Sequence, residues 1–547
     1  MRSEWPPLLA ITAGSWDAIF SDGPRGALEQ ALPAFLRPQR WFGAKSRTIT
    51  SATISDAALL PDAGDRAYLV LVAVQYAEGA PETYLVSMAY AAGQRALRLL
   101  GEARHAVIAR LALTADGAPG VIFEPLLVDR DVARALLEVA VLGRRLRTIN
   151  GGEVAGCPGP ALPPARFENL APRVVSAEQS NTSLIFGSAL IMKIFRKVEP
   201  GINPDLEIGR YLTEYAFPYT PPTVGALEYL RGDEAPMSLG MVQGYVANEG
   251  DAWEYTLAVA RRSYDQARAR AELRLPEGLL TTSALLAAAL ESPTPPAEEV
   301  VGPYLAQAQR LGERTADLHL ALAAGAEPAF APEPFSISYQ RALYASMHAL
   351  TTQTFAGLRQ VAPRLPAALR AQAEAVLALE AALLARFQRI TATTIAALRT
   401  RVHGDFHLGQ VLYTGADFMI IDFEGEPVRP ISERRLKRSP LCDVAGMLRS
   451  FQYAAYATLF AQPDSEERAM MRRWADCWSF RAGAAYLGAY LRHAAGAPFI
   501  PAALADLEAL LEVFMLEKLI YEIGYEMNNR PAWLSIPLSG VLHQVAA

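Results

Sequence analysis

Along the first hundred residues, apolar positions fall in short runs rather than at helical spacing. The stretch AYLVLVAVQYAEGAPETYLVSMAYAAG, from residue 67, reads as two strands around a Gly-Ala-Pro turn, because aliphatic and aromatic runs bounded by Gly and Pro are the pattern of paired strands. Residues 151 to 172, GGEVAGCPGPALPPARFENLAP, hold so much Gly and Pro that they read as loop. Alternation resumes in RVVSAEQSNTSLIFGSALIMKIFR, where Gly187-Ser188 suits a two-residue hairpin turn with the glycine at positive φ. The period then changes. Asn203 is a good N-cap, Pro204 a good first helical residue, and Asp205 suits the positive end of the dipole, so NPDLEIGRYLTEYA opens a helix. Beyond about residue 250, YLAQAQRLGERTADLHLALAAG and ALRAQAEAVLALEAALLARFQRITATTIAALRT place apolar residues three and four apart, as helices do. One hairpin interrupts this half: QVLY, a turn at TGAD, and FMIIDFE, residues 410 to 424. The pattern gives an α+β organisation: a β-rich unit over 1–105, a strand-rich unit carrying one helix over 106–247, and a helical unit with an inserted hairpin over 248–547.

Composition narrows this picture. A chain of 547 residues exceeds what one core usually serves. With 51% hydrophobic and 20% charged residues it has ample material for packed cores. A net charge of −6 offers no general attraction to nucleic acid or to an anionic membrane. Three dispersed cysteines, Cys157, Cys442 and Cys477, fit a reducing compartment and neither a disulfide framework nor a zinc site. The start lacks a basic region followed by a long apolar core, and LLTTSALLAAALES is too short to span a bilayer, so a cytoplasmic location is expected.

Chemistry concentrates in RVHGDFHLGQVLYTGADFMIIDFEGEP, residues 401 to 427. Asp405 precedes one strand, Gln410 begins it and Asp422 ends its antiparallel neighbour, so one end of the hairpin collects three oxygen-bearing side chains. Oxygen donors of that number suit Mg²⁺, which takes few ligands from protein and leaves the rest to water and phosphate. Asp405 would stand beside the metal, free to receive a hydroxyl proton. Other readings stay open: His403, Asp405 and His407 as zinc ligands, though no third nitrogen or sulfur ligand is near, or Asp405 as a turn cap. Asp422, following FMII, is expected to be largely buried and therefore in need of a partner. His403 reads chiefly as a brace of the turn and is also counted among groups near a substrate.

HGDFHLGQ followed by IDFEGEP resembles the catalytic segments of the aminoglycoside phosphotransferase-like kinases, which share the protein-kinase fold. Gln410, where most of those kinases have Asn, looks like the maltokinase branch. LPAFLRPQRWFGAKSRTI, EQSNTSLIFG, IMKIFRKVEPGINPDLEIGRYLTE, SERRLKRSPLCDVAGMLRSFQYAA and YEIGYEMNNRPAWLSIPL are each similar to signatures of maltokinases, notably those fused to trehalose synthase. The resemblance implies a bilobal protein-kinase-like fold with an N-terminal cap, a strand-rich N-lobe and a mainly helical C-lobe. It implies ATP and Mg²⁺ as cofactors, Asp405 as catalytic base, Gln410 and Asp422 as magnesium ligands, and Lys193 on the nucleotide phosphates. Read on its own terms, Lys193 in ALIMKIF needs an anion or snorkels from a sheet edge; Glu207 is its expected helix partner, or else an ordinary exposed glutamate. No Gly-rich loop precedes the lysine, so Ser180, Asn181, Thr182 and Ser183 are expected to contact phosphate. MVQGYVANEGDAWEY, with Gln243, is expected to join the lobes beside adenine, and Asp443 to brace the catalytic turn. Tyr521, Glu522 and Tyr525 suit a saccharide site or a helix core stripe; Asn528 stands where relatives often have Arg.

The expected reaction is transfer of the ATP γ-phosphoryl to the anomeric hydroxyl of maltose, with a trehalose synthase as potential partner. The rivals are a kinase for glucosamine or an aminoglycoside, and a non-catalytic subunit of a trehalose synthase.

Overall fold

The computed structural model describes residues 6–11, 15–61, 66–113, 120–165, 167–175, 180–269, 281–291, 301–460 and 466–545. The chain divides into two compact units, one of Met1–Ala216, Pro221–Ala247 and Val428–Glu433, the other of Phe217–Thr220, Asn248–Pro427 and Arg434–Ala547.

In the first unit, β1 (Leu8–Ala10), β2 (Ile49–Leu60), β3 (Ala67–Tyr76), β4 (Glu82–Ala91), β5 (Val107–Ala112) and β6 (Gly120–Phe123) form a sheet in the order β1-β5-β6-β4-β3-β2. Both faces of it are covered. Val70, Val72 and Val86 pack with Leu28, Leu32 and Phe35 of helix α1 (Asp22–Leu36), whereas Leu69, Leu71 and Leu85 join a second cluster on the opposite face. This explains why AYLVLVAV is continuously apolar instead of alternating. The strand-like reading of the first hundred residues missed α1 and α2 (Gly93–Glu102). In α1 the internal Gly and Pro residues hide a helical stripe of Leu28, Leu32, Phe35 and Leu36 that burial against the sheet makes stable.

A second sheet, all antiparallel, runs β7-β8-β13-β14-β11-β10-β9, with β7 at Arg145–Arg147, β8 at Glu153–Pro158, β9 at Pro172–Val174, β10 at Asn181–Phe186, β11 at Leu190–Phe195, β13 at Thr223–Leu230 and β14 at Met237–Gly244. Strand β8 lies inside the stretch read as loop. Its glycine permits a close approach: a Cβ on Gly156 would lie 1.7 Å from Val139 O of helix α3 (Arg130–Leu142). The β10–β11 turn is three residues long rather than two, since Phe186 pairs with Leu190, and Gly187 takes φ 57°. Helix α4 (Pro204–Glu214) starts as expected, with Asn203 Oδ1 accepting from Asp205 N at 2.9 Å. With α3, this part of the chain carries two helices where one was expected. After β11 the chain enters β12 (Lys197–Val198), which pairs with β4 of the first sheet.

The second unit is mainly helical. The helix Leu441–Phe460 packs on Glu466–His493 and on Leu504–Asn529. Two strand pairs are set among the helices: β15 (Glu333–Pro334) with β16 (Leu398–Arg399), and the hairpin of β17 (Val411–Tyr413) and β18 (Phe418–Ile420), with Val411 opposite Ile420. Residues 249–251 run beside the hairpin, Glu249 N donating to Tyr413 O at 2.8 Å and Tyr413 N to Gly250 O at 3.0 Å. Strand-rich sheets toward the N-terminus and helices toward the C-terminus make this an α+β fold. Among the described residues no helix is long and apolar enough to cross a membrane.

Candidate active site

The turn holding Asp405 is fixed by a few polar groups. Asp443, buried in the first turn of the helix Leu441–Phe460, accepts from His403 N at 2.7 Å and from Gly404 N at 2.9 Å. Buried His319 lies with Nε2 3.2 Å from the same carboxylate. Burial alone would raise the Asp443 carboxyl; hydrogen bonds and the field of His319 and His403 outweigh it and hold the group below the usual carboxylate range. Gly404 has φ 86°, and Gly446 lets the helix approach so closely that a Cβ there would be 2.6 Å from Phe406 O. His403 is buried, with its ring between Phe406 and Phe423 and its Nε2 donating to Ile421 O at 2.9 Å. It does not line the cleft described below, so the expected substrate contact is corrected to a bracing role. His407 Nδ1 accepts from Gly409 N at 3.1 Å, and burial pushes its pKa down. Among the described residues, the side chains close enough together to hold a metal include neither histidine, so the zinc reading has no support.

Asp405 retains 24% side-chain exposure, with Oδ1 3.3 Å from Lys518 Nζ and Oδ2 4.0 Å from His407 Nε2. Burial works to raise its pKa, but Lys518, His407 and His403 together keep it below the ordinary value. Lys518 also lies 3.7 Å from Glu426 and over the Tyr521 ring at 4.8 Å. Burial works against its charge, yet Asp405 and Glu426 overcome this and raise the lysine's pKa.

At the hairpin's end Ile421 N donates to Gln410 O at 3.0 Å, which brings the main chain of Gln410 beside the residue preceding Asp422. Asp422 is half-buried, not largely buried as expected, and sits at φ 67°, a left-handed conformation that non-glycine residues seldom adopt outside turns and functional sites. A carboxylate oxygen of Glu424 lies within 4.8 Å of one of Asp422. Sequence reasoning passed over Glu424, although DFE in the quoted motif places it two residues on, on the same side of an extended chain.

Beside Asp405 a cleft of about 400 Å³ is lined by His407, Trp253, Tyr453, Tyr521, Tyr525 and the helix residues Lys518, Glu522, Glu526, Arg449 and Arg530. Tyr521 stacks on Tyr525 with centroids 6.4 Å apart, and Tyr453 on Trp533 at 6.1 Å. Glu522, expected to meet sugar hydroxyls, lines the cleft but is clasped by Arg449 through three hydrogen bonds of 2.7 to 3.2 Å. Glu526 accepts from Arg530 Nη2 at 2.7 Å and from Tyr453 OH at 3.1 Å. Burial raises its pKa against the pull of Arg530. Lys518 and Glu526 were missed, yet they extend the Tyr521, Glu522, Tyr525 stripe by one helical turn in each direction.

The other expected residues lie in the first unit. Lys193, 13% exposed, is 2.9 Å from Asp205 Oδ2. Asp205, which the Asn203 cap sets in the first turn of α4 together with the expected Glu207, is thus an acid within hydrogen-bonding reach of the lysine. Ser183 is opposite Lys193 in register and Gln243 opposite Ile191, so all four share one face of the sheet. Thr182 is on the other face: its Oγ1 accepts from buried Arg196 Nε at 2.8 Å, which corrects its expected phosphate contact. Ser180 is exposed and accepts from Asn181 Nδ2 at 3.4 Å. Residues 176–179 of that loop lie outside the described residues.

Residues 35–119 match the family model described as the maltokinase N-terminal cap domain. Over that stretch the chain is similar to the cap of maltokinases. The chain is also 26% identical over 415 residues to a glucosamine kinase from Streptacidiphilus jiangxiensis, covering 73% of this chain and 78% of that one. A glucosamine kinase from Mycolicibacterium smegmatis is 26% identical over 376 residues, 67% of this chain and 77% of that protein. Among solved structures, a glucosamine kinase in crystal form B superposes with a TM-score of 0.58 at 20% identity, covering 93% of this chain and 96% of that one. A glucosamine kinase in complex with glucosamine, ADP and inorganic phosphate gives 0.57 at 21% identity, covering 97% and 99%. At such identities the superpositions speak to fold, and the fold of this chain is that of these sugar kinases.

Proposed function

We propose that the protein is an ATP-dependent sugar kinase that phosphorylates maltose at its anomeric hydroxyl, giving maltose 1-phosphate and ADP. The observation that carries the choice of acceptor is the charge pairing in the cleft. Asp405 faces Lys518, Glu522 faces Arg449 and Glu526 faces Arg530. An ammonium-bearing sugar gains most from a carboxylate without a cation of its own, whereas a neutral saccharide needs rings to stack on and hydrogen-bonding groups for hydroxyls. Tyr521, Tyr525, Tyr453 and Trp253 supply the rings.

In this reading the anomeric oxygen attacks the γ-phosphorus, the bond to the β,γ-bridging oxygen breaks, and Asp405 takes the hydroxyl proton. A carboxyl held below its ordinary pKa is ionised at neutral pH and ready to accept. Its weak basicity suits a loose transition state, in which the proton leaves late and positioning supplies most of the rate. Gln410 and Asp422, with Glu424 added, form a donor set of hard oxygens that fits Mg²⁺. The ion, when bound, would neutralise phosphate charge. Lys193, steadied by Asp205, would bind phosphate oxygens, with Ser183 beside it.

The relatives named as glucosamine kinases make an amino sugar the second reading. The test is to incubate the protein with ATP, Mg²⁺ and a panel of sugars and identify the product by phosphorus NMR. An anomeric phosphate on maltose supports the proposal; phosphate on glucosamine with none on maltose overturns it.

A further inference from the structure

The strand that carries Lys193 continues into the cap. One residue past β11, Arg196 turns its side chain to the face opposite Lys193, and the chain then runs as β12 along β4, with Lys197 against Tyr84 and Val198 against Thr83. Leu85 N donates to Arg196 O at 2.8 Å. The guanidinium is fully buried. Its Nε donates to Thr182 Oγ1 at 2.8 Å, and its Nη1 to Leu85 O at 3.2 Å and to the Glu124 carboxylate. Its Cζ lies 4.7 Å from the centroid of the Trp41 ring. Trp41 and Leu85 fall within the residues that match the cap family, and Glu124 follows β6 directly. One side chain thus ties the cap to both strands of the hairpin on which Ser183 and Lys193 sit opposite each other.

Stability alone does not account for this pair. Among the described residues Arg196 Nη2 and Glu124 Oε2 are buried without a hydrogen-bond partner, and each such atom keeps its desolvation cost. An apolar pair of similar volume often serves a core equally well or better. What a directional buried pair adds is one permitted register between the elements it joins.

We propose that Arg196 is a positioning residue through which the cap sets the placement of the Lys193 strand, making the cap part of the nucleotide-binding machinery. This rests on the reading that Lys193 contacts nucleotide phosphates. Loosening Arg196 frees β11 at its exit, three residues from the lysine, and leaves the residues of the acceptor cleft untouched.

The test compares full-length wild type with Arg196→Met, Glu124→Gln and Arg196→Lys. ADP binding is measured by calorimetry without acceptor, the KM values for ATP and maltose are measured separately, and melting curves check folding. The expected result is a rise of about three- to thirtyfold in the ADP dissociation constant and in the KM for ATP. The KM for maltose should not move, and Arg196→Lys should fall in between. Folded variants with wild-type ADP affinity overturn the proposal, as does an equal rise in both KM values, which a general loosening would produce. Should Arg196→Met not fold, Thr182→Val and Trp41→Leu each remove one contact, and unchanged ADP affinity in both overturns it equally. A wild-type protein that binds no ADP refutes the kinase reading itself and this proposal with it. Binding that is merely unaltered by the substitutions refutes the role of Arg196 alone.

Discussion

At the turn around Gly404, position is held by a handful of polar groups: two main-chain donors on Asp443, His319 behind it, and His403 reaching the main chain of Ile421. In the cap sheet, β2 to β4 are held by aliphatic side chains that are buried on both faces. Apolar burial is nondirectional and tolerates small shifts, while hydrogen bonds to a charged group fix geometry closely. The turn should therefore lose function before it loses stability, and the sheet should do the reverse.

The largest effect is expected at Asp405. Asp405→Asn should lower kcat by about 10²- to 10⁴-fold, the usual range for a general base, with little change in melting temperature; near-normal turnover would remove Asp405 from the chemistry. In the sheet, Leu71→Ala should cost about 2–5 kcal/mol of stability in urea titration. Activity per folded molecule should stay as it was, and a fall in kcat at full folding would break the contrast.

Asp443→Asn probes the brace between these extremes. Losing charge-assisted hydrogen bonds there should cost about 1–3 kcal/mol together with a measurable drop in kcat. The Asp443 carboxyl is depressed in the folded state. Its contribution is thus fully present above the ordinary carboxylate pKa of about 4 and is lost as pH falls through the lower folded value. Acid unfolding of Asp443→Asn should accordingly be less steep, and identical slopes would show that Asp443 does not carry this charge. The smallest effect is expected for Lys518→Met. Without that cation the Asp405 pKa rises toward its ordinary value, so the acid limb of the kcat profile moves to higher pH. Lys518→Arg should restore it, and an unmoved limb would separate Lys518 from Asp405.

How much of this was legible in the sequence follows from how local each feature is. The hairpin itself was readable, because strand period and turn residues suffice to place it. The Lys193 face was readable in part: strict alternation puts Ser183 beside Lys193 and sends Thr182 to the other side. Asp205 was passed over beside Lys193, although the Asn203 cap sets it in the first turn of α4. Lys518 lies 113 residues from Asp405, on a helix that is apolar around most of its circumference, and only packing brings the two together. Strand β8, in a stretch rich in Gly and Pro, was hidden because its Gly156 answers to a neighbouring helix, a contact that local sequence does not encode.

The most direct test of the account is a competition: wild-type protein with ATP, Mg²⁺ and equal concentrations of maltose and glucosamine, both products quantified at early times. Paired charges in the cleft predict phosphate on maltose in clear excess, giving a ratio of kcat/KM values well above one. Preferential phosphorylation of glucosamine would contradict it.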